Sequence, residues 1–146
     1  MQVFEYQYTR RRVAETPATI RTPTDIARLI AEATLADAES EAMLVIALDT
    51  KNHVIGVETA YRGNVSASLI RIGELFRFAV RVNATGIILV HNHPSGDPTP
   101  SVDDLHVTAE TLAAGKLLDI RVLDHLIIGE AGAYASLRDR GVVFDA

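Results

Sequence analysis

Cysteine is absent from this 146-residue chain. Its absence excludes disulfides, thiolate metal sites and cysteine nucleophiles, so any metal must be held by His, Asp or Glu. It also removes the P-C-x-x-C element that zinc deaminases require. A cysteine-free chain fits a reducing compartment, and a cytoplasmic location is the expectation. No apolar run approaches the ~20 residues needed to span a bilayer, and no signal peptide is evident, so no membrane association is expected. Positive charge is in short supply. Lys+Arg number 14 against 19 Asp+Glu, a net charge of −5; residues 1–30 carry five Arg and three acids (+2), and the remainder nine basic and sixteen acidic residues (−7). A duplex-binding domain normally shows a basic face, and the one local candidate is Arg10-Arg11-Arg12, a run that also suits a solvated arm. H-E-x-x-H, G-x-S-x-G and G-x-x-x-x-G-K-[ST] are missing as well. Helix-borne zinc proteases, serine-hydrolase elbows and phosphate loops are thereby disfavoured.

The length suits one domain with a real core. Alternation of Phe4, Tyr6 and Tyr8 predicts an edge strand over residues 3–13, and residues 14–22 read as a connector, so that 1–22 precede the domain proper at 23–146. Thr22-Pro23-Thr24-Asp25 is a helix start with a capping-box pattern, and Ile26, Leu29, Ile30 and Ala33 fall on one face of a helix reaching about Leu35. Residues 42–48 are nearly all apolar and predict a strand buried on both faces. A turn at Asp49-Thr50-Lys51-Asn52 returns the chain into a second strand that reaches about Tyr61. After a loop at 63–68, Ile72, Leu75, Phe76, Ala79 and Val80 have helical spacing over 70–82. Gly86 to Val90 is another buried strand. Residues 101–117 predict a helix through Leu105, Thr108, Leu112 and Ala113, ending near Gly115. Ile120 to Ile128 and Tyr134 to Leu137 are the last strands. The order β-α-β-β-α-β-α-β-β implies a single α/β domain, one mixed central sheet flanked by helices.

The stretch 86–108 carries the chemistry. Residues i and i+2 of a strand share a face, so His91 and His93 can aim two imidazoles at one point, with Asn92 turned away. Pro94, Pro98 and Pro100 stiffen the following loop and Gly96 permits a sharp bend. The loop delivers a helix whose first turn holds Asp104. Two histidines and a carboxylate leave a fourth tetrahedral position for water, the pattern of a catalytic zinc. Zinc would lower the pKa of that water from ~15.7 towards ~7. Ser101-Val102-Asp103-Asp104 also fits a capping box, and the two roles can coexist. His125 lies on an apolar strand and reads as a hydrogen-bonded core histidine; His106 faces away from Asp104, and His53 sits in an exposed turn.

His91-Asn92-His93, seven residues, Ser101, two residues and Asp104 resemble the JAMM/MPN+ metalloprotease motif H-x-H, x7, S, x2, D. The fuller string His-Asn-His-Pro-Ser-Gly-Asp-Pro-Thr-Pro-Ser resembles the bacterial RadC-like branch, from about residue 23 to the end. Leu48-Asp49-Thr50-Lys51-Asn52, Gly63, Glu74, Thr108 and Leu123-Asp124-His125 also sit where that branch has similar residues. The resemblance implies a JAMM/MPN (cytidine-deaminase-like) fold and Zn2+ held by His91, His93 and Asp104. It implies Ser101 as donor to the oxyanion of a tetrahedral intermediate. It also implies a glutamate as general base and acid, moving a proton to the leaving amine. Its place, eight residues before the aspartate of L-D-x-K-N, falls on Glu41. Glu39 is the alternative on the same face, and Glu58 lies on the second hairpin strand. The function implied is zinc-dependent hydrolysis of peptide or isopeptide bonds, with a peptide, an isopeptide or a small amide as substrate. The alternatives are a nucleic-acid-associated accessory module and a non-catalytic MPN scaffold; nucleic acid is the less favoured partner. The chain departs from the branch in having Ile72-Gly73-Glu74 for Pro-Arg-Glu. It is also too short for the N-terminal helix-hairpin-helix of the larger members, which weakens the expectation of DNA association.

Overall fold

Ala42–Leu48 (β1) forms the second strand of a five-stranded mixed sheet and is buried along its whole length, as its unbroken apolar run requires. In the computed structural model the described residues are 1–12, 22, 25, 26, 29, 34, 35, 39–63 and 69–145. The other strands are β2 (Val54–Arg62), β3 (Gly86–Asn92), β4 (Arg121–Ile128) and β5 (Tyr134–Ser136), and the helices are α1 (Ile72–Arg81) and α2 (Val102–Leu118). The strand order is β2-β1-β3-β4-β5. β1 pairs antiparallel with β2 and β3, β4 antiparallel with β5, and β3 parallel with β4. The parallel step is made by α2, because strands running the same way need a crossover. No helix among the described residues is long and apolar enough to cross a membrane.

Both faces of the sheet are covered. Met43, Val45, Ala47, Ile87, Leu89 and Val122 pack with Leu75, Phe76 and Ala79 of α1 and Val107 of α2. The opposite row, Leu44, Ile46, Leu48, Ile88, Val90 and Leu126, packs with Ile26, Leu29 and Leu35. Asp25, Ile26 and Leu29 are helical, and the Asp25 N–H donates to Thr22 Oγ1 at 3.2 Å, the cap expected there. Ile30 and Ala33, the loop residues 64–68 and most of the connector lie outside the described residues.

Three expectations change. Residues 3–12 form no strand: Phe4, Tyr6 and Tyr8 are exposed, and the Tyr8 ring lies under the Arg81 guanidinium, 3.7 Å from it. Alternation supplies a strand's faces but not the neighbouring ladder that holds a strand in place. α2 matches the expected 101–117 to within one residue at each end, but it does not stop near Gly115. It runs to Leu118 and closes on Asp119 in the left-handed region (φ 56°). Its buried face is also rotated from the apolar one expected: Asp104, Val107, Thr108, Thr111 and Gly115 point inward, while Leu105 and Ala113 are exposed. Buried threonine is tolerated because each hydroxyl donates to a carbonyl of its own helix, Thr108 to Asp104 and Thr111 to Val107, both at 2.7 Å. On α1, likewise, Val80 is exposed.

Candidate metal centre

The row Ile87, Leu89, His91 on β3 faces α1 and α2, and His93 continues it one step past the strand end. The apolar row ends in histidines where cover by α1 gives way to the first turn of α2. His91 is fully buried, and the His93 side chain retains 14% exposure. Their Nε2 atoms are 3.0 Å apart. Asp104 meets both: Oδ1 is 3.1 Å from His91 Nε2, and Oδ2 is 3.2 Å from His93 Nε2.

The loop between them is held at several points. The His93 N–H donates to Ile128 O at 2.9 Å, extending the β3–β4 ladder by one rung. Gly96, at φ +87°, turns the chain, and its carbonyl accepts the Glu130 N–H at 3.0 Å. Gly129 packs so closely on Gly96 O that a side chain at Gly129 would collide with it. The loop thus rests on the β4–β5 connection and cannot swing without disturbing it. At its end Ser101 caps α2 through a full capping box: Ser101 Oγ accepts the Asp104 N–H at 3.1 Å, and Asp104 Oδ2 accepts the Ser101 N–H at 2.8 Å. The motif's S-x-x-D spacing is therefore a helix start that also aims a carboxylate at the histidines.

Electrostatics favour a charged Asp104. Burial pushes its pKa up, but the hydrogen bond and charge of His91 and the donors of Ser101 outweigh burial. The net result is a carboxyl held well below the usual range. The helix N-terminus acts in the same direction.

Zinc fits this donor set. His93 Nδ1 lies 2.9 Å from the Asp97 carbonyl, which can only accept, so the proton of a neutral His93 ring sits on Nδ1 and Nε2 offers a lone pair. The separations of 3.0–3.2 Å among the nitrogens and carboxylate oxygens are close to the roughly 3.3 Å that bonds of ~2.0–2.1 Å impose between tetrahedral ligands. Glu41 joins the group: one carboxylate oxygen and one nitrogen each of His91 and His93 lie within 4.8 Å of one another. Glu41 directly precedes β1 and is half-buried, and the pairing of Met43 with His91 carries it to a place opposite His93. Glu39 is exposed, and Glu58 is held elsewhere by Arg77 and Arg81, at 3.1 and 3.4 Å.

Of the residues singled out in the sequence, His91, His93, Asp104 and Glu41 meet at one end of β3, with Ser101 at the adjoining helix start. His106 pairs with Glu110 at 3.1 Å on an exposed face and His53 with Asp49 at 3.3 Å. Two participants were given no role from the sequence. Asn92 does turn away from the histidines, but it grips the start of β1: its Oδ1 accepts the Ala42 N–H at 2.8 Å and its Nδ2 donates to Ser40 O at 3.1 Å. Thr108 touches the buried His125, 2.7 Å from Oγ1 to Nδ1, and His125 Nε2 in turn lies 2.7 Å from His91 Nδ1. His125 is the hydrogen-bonded core histidine expected, yet it is coupled to the site.

Comparison with known proteins gives consistent relatives. A sequence model described as the RadC-like JAB domain matches residues 20–142. A UPF0758 protein of Roseiflexus castenholzii is 51% identical over 125 residues, covering 86% of this chain and 53% of that protein. A UPF0758 protein of Chloroflexus aurantiacus is 48% identical over 126 residues, covering 86% and 54%. Another, from Desulfitobacterium hafniense, is 44% identical over 137 residues, covering 92% and 60%. The chain spans about half the length of the curated relatives it matches.

Proposed function

This chain belongs to the RadC-like JAB domain family, and on that premise we propose that it is a zinc-dependent hydrolase of peptide or isopeptide amide bonds. The observation that carries this reading is the convergence of two histidine nitrogens and the Asp104 carboxylate at 3.0–3.2 Å, with a Glu41 carboxylate oxygen inside the same group. His91, His93 and Asp104 would hold the metal. Bound zinc supplies a Lewis acid and brings the pKa of a coordinated water from ~15.7 towards ~7. Glu41 would accept the proton of the attacking water and return it to the leaving amine nitrogen. Its placement supports this: the Glu41 carbonyl accepts the Gly63 N–H at 2.7 Å, and Asn92 binds the peptide groups on either side. Ser101 would donate to the oxyanion of the tetrahedral intermediate. Capping uses Oγ as an acceptor from Asp104 N, and its O–H proton is the group that would turn to the oxyanion.

Metal analysis and zinc-edge anomalous scattering test the assignment. About one zinc per chain is expected, bonded to His91, His93 and Asp104; His93→Ala should lose it, and full zinc retention in that variant would sink the proposal. Profiling amides cleaved in a cell lysate by the wild type and by Glu41→Gln then addresses substrate. Glu41→Gln should bind zinc and cleave nothing. Salt-sensitive DNA binding that survives both chelation and Glu41→Ala would instead favour an accessory role on nucleic acid.

A further inference from the structure

We infer that Thr108 and His125 are positioning residues that set the tautomer of His91, so that its Nε2 presents a lone pair to the metal. The inference rests on the metal-site reading above, and it follows from the direction of three buried hydrogen bonds. It begins at the carbonyl of Asp104, which has lone pairs and no proton. Thr108 Oγ1 lies 2.7 Å from that oxygen, so the hydroxyl proton must point there. Thr108 Oγ1 can then only accept from its other neighbour, His125 Nδ1, at 2.7 Å. His125 therefore carries its proton on Nδ1. His125 is wholly buried, where an imidazolium is costly to desolvate, so with its one proton on Nδ1 its Nε2 is bare. That bare nitrogen accepts from His91 Nδ1, 2.7 Å away. Whenever His91 is neutral its one proton is thus on Nδ1, and its Nε2 is the lone pair facing His93 Nε2 and Asp104 Oδ1.

The circuit starts on the backbone of Asp104 and returns to its side chain, so one helical turn of α2 supplies both a metal ligand and the group that orients another. Thr108, His125 and His91 are almost wholly buried, which leaves no water to substitute for a missing link. Placement of His125 depends on an irregularity. β3 and β4 slip register between Ile87/Ile88 and Val122/Asp124, so Leu123 is an extra residue. Without that bulge the alternation begun at Val122 would turn position 125 to the other face of the sheet. With it, His125 pairs with Leu89 and faces the same side as His91.

Two measurements test the idea. The first is zinc affinity by chelator competition for the wild type, Thr108→Val and Thr108→Ser. Thr108→Val keeps the volume and removes the hydroxyl; affinity should fall by about 10- to 100-fold, the usual effect of losing an orienting partner behind a metal ligand. Thr108→Ser restores the hydroxyl and should return affinity to within roughly 3-fold of wild type. The second is nitrogen-15 NMR of ring-labelled, metal-free wild type, where His125 should show a protonated Nδ1 and a bare Nε2. A proton on His125 Nε2 overturns the inference, with no variant needed. So does Thr108→Val binding zinc like the wild type, an outcome that leaves the metal reading standing. A wild type that takes up no zinc overturns the metal reading instead.

Discussion

Asn92 holds the chain on both sides of Glu41. One amide group accepts from Ala42 N at 2.8 Å and donates to Ser40 O at 3.1 Å, so the residue between the two histidines fixes the glutamate nearest to them. The two faces of one short strand thus serve one site: His91 and His93 on one side, Asn92 on the other, reaching round the strand start.

Asn92→Ala should separate these duties. Two buried or half-buried backbone groups lose their partner, at a cost of about 1–3 kcal/mol. Zinc affinity should stay within a few-fold of wild type, because both histidines point away from position 92, while turnover of any amide substrate should drop as Glu41 loses its anchor. Urea denaturation and chelator competition read the two effects. An unchanged midpoint with reduced zinc affinity would show that Asn92 acts on the ligands rather than on β1.

Ser101 has two roles that substitution can part. Ser101→Ala removes both the cap and the hydroxyl donor, and should cost about 1 kcal/mol of stability. Ser101→Asp keeps an oxygen for the Asp104 N–H but has no proton to donate. Its stability should match the wild type to within about 0.5 kcal/mol, while turnover falls by roughly 10²–10³. Ser101→Thr keeps both groups and should retain both properties. Undiminished turnover in Ser101→Asp would remove the serine from the chemistry.

Glycine to alanine should have opposite signs in α1 and α2. At Gly115 a Cβ would stand 2.5 Å from Ile120 O and 2.9 Å from Val122 Cγ2. The nearer obstacle is backbone and cannot rotate away, so overpacking of about 1–3 kcal/mol outweighs a helix-propensity gain of about 1 kcal/mol. At Gly73 nothing lies within 4 Å, and alanine should stabilise by about 0.5–1 kcal/mol. Thermal unfolding of the two variants checks the contrast, and a stabilised Gly115→Ala would mean that α2 can lift off β4.

Asp124 should impose a pH dependence on stability. Its buried carboxyl accepts from Ser136 Oγ at 2.5 Å, His125 N at 2.7 Å and Arg138 N at 3.0 Å. Burial pushes its pKa up, and the hydrogen bonds from Ser136, Arg138 and His125 pull it back only in part. A carboxyl whose folded pKa is raised contributes stability that is full below its unfolded value of ~3.9 and is lost as pH rises through the folded value. Asp124→Asn keeps an acceptor for both amides and removes the titration. The stability of the variant relative to wild type should therefore grow between about pH 4 and pH 7. Denaturant midpoints at the two pH values measure it; a difference that shrinks with rising pH would contradict the assignment.

Much of the site could be read along the chain because local rules build it. Strand alternation places His91 and His93 on one face, and a helix N-cap three residues long couples Ser101 to Asp104. The unbroken apolar run at 42–48 likewise announces an interior strand. Glu41 is different: no local pattern marks it, and only the family resemblance pointed to it before strand pairing brought it opposite His93. Residues 3–12 have the alternation of a strand but do not form one. The inner face of α2 keeps the expected Thr108 but adds Asp104, Val107 and Thr111 in place of Leu105 and Ala113. His125 reaches His91 through one extra residue at Leu123, which alternation cannot reveal. Short-range geometry repeats with the backbone and is written in spacing, whereas contacts between β1, β3, α2 and β4 depend on register. A shift of one residue reverses which face a side chain joins, and only the assembled sheet sets that shift.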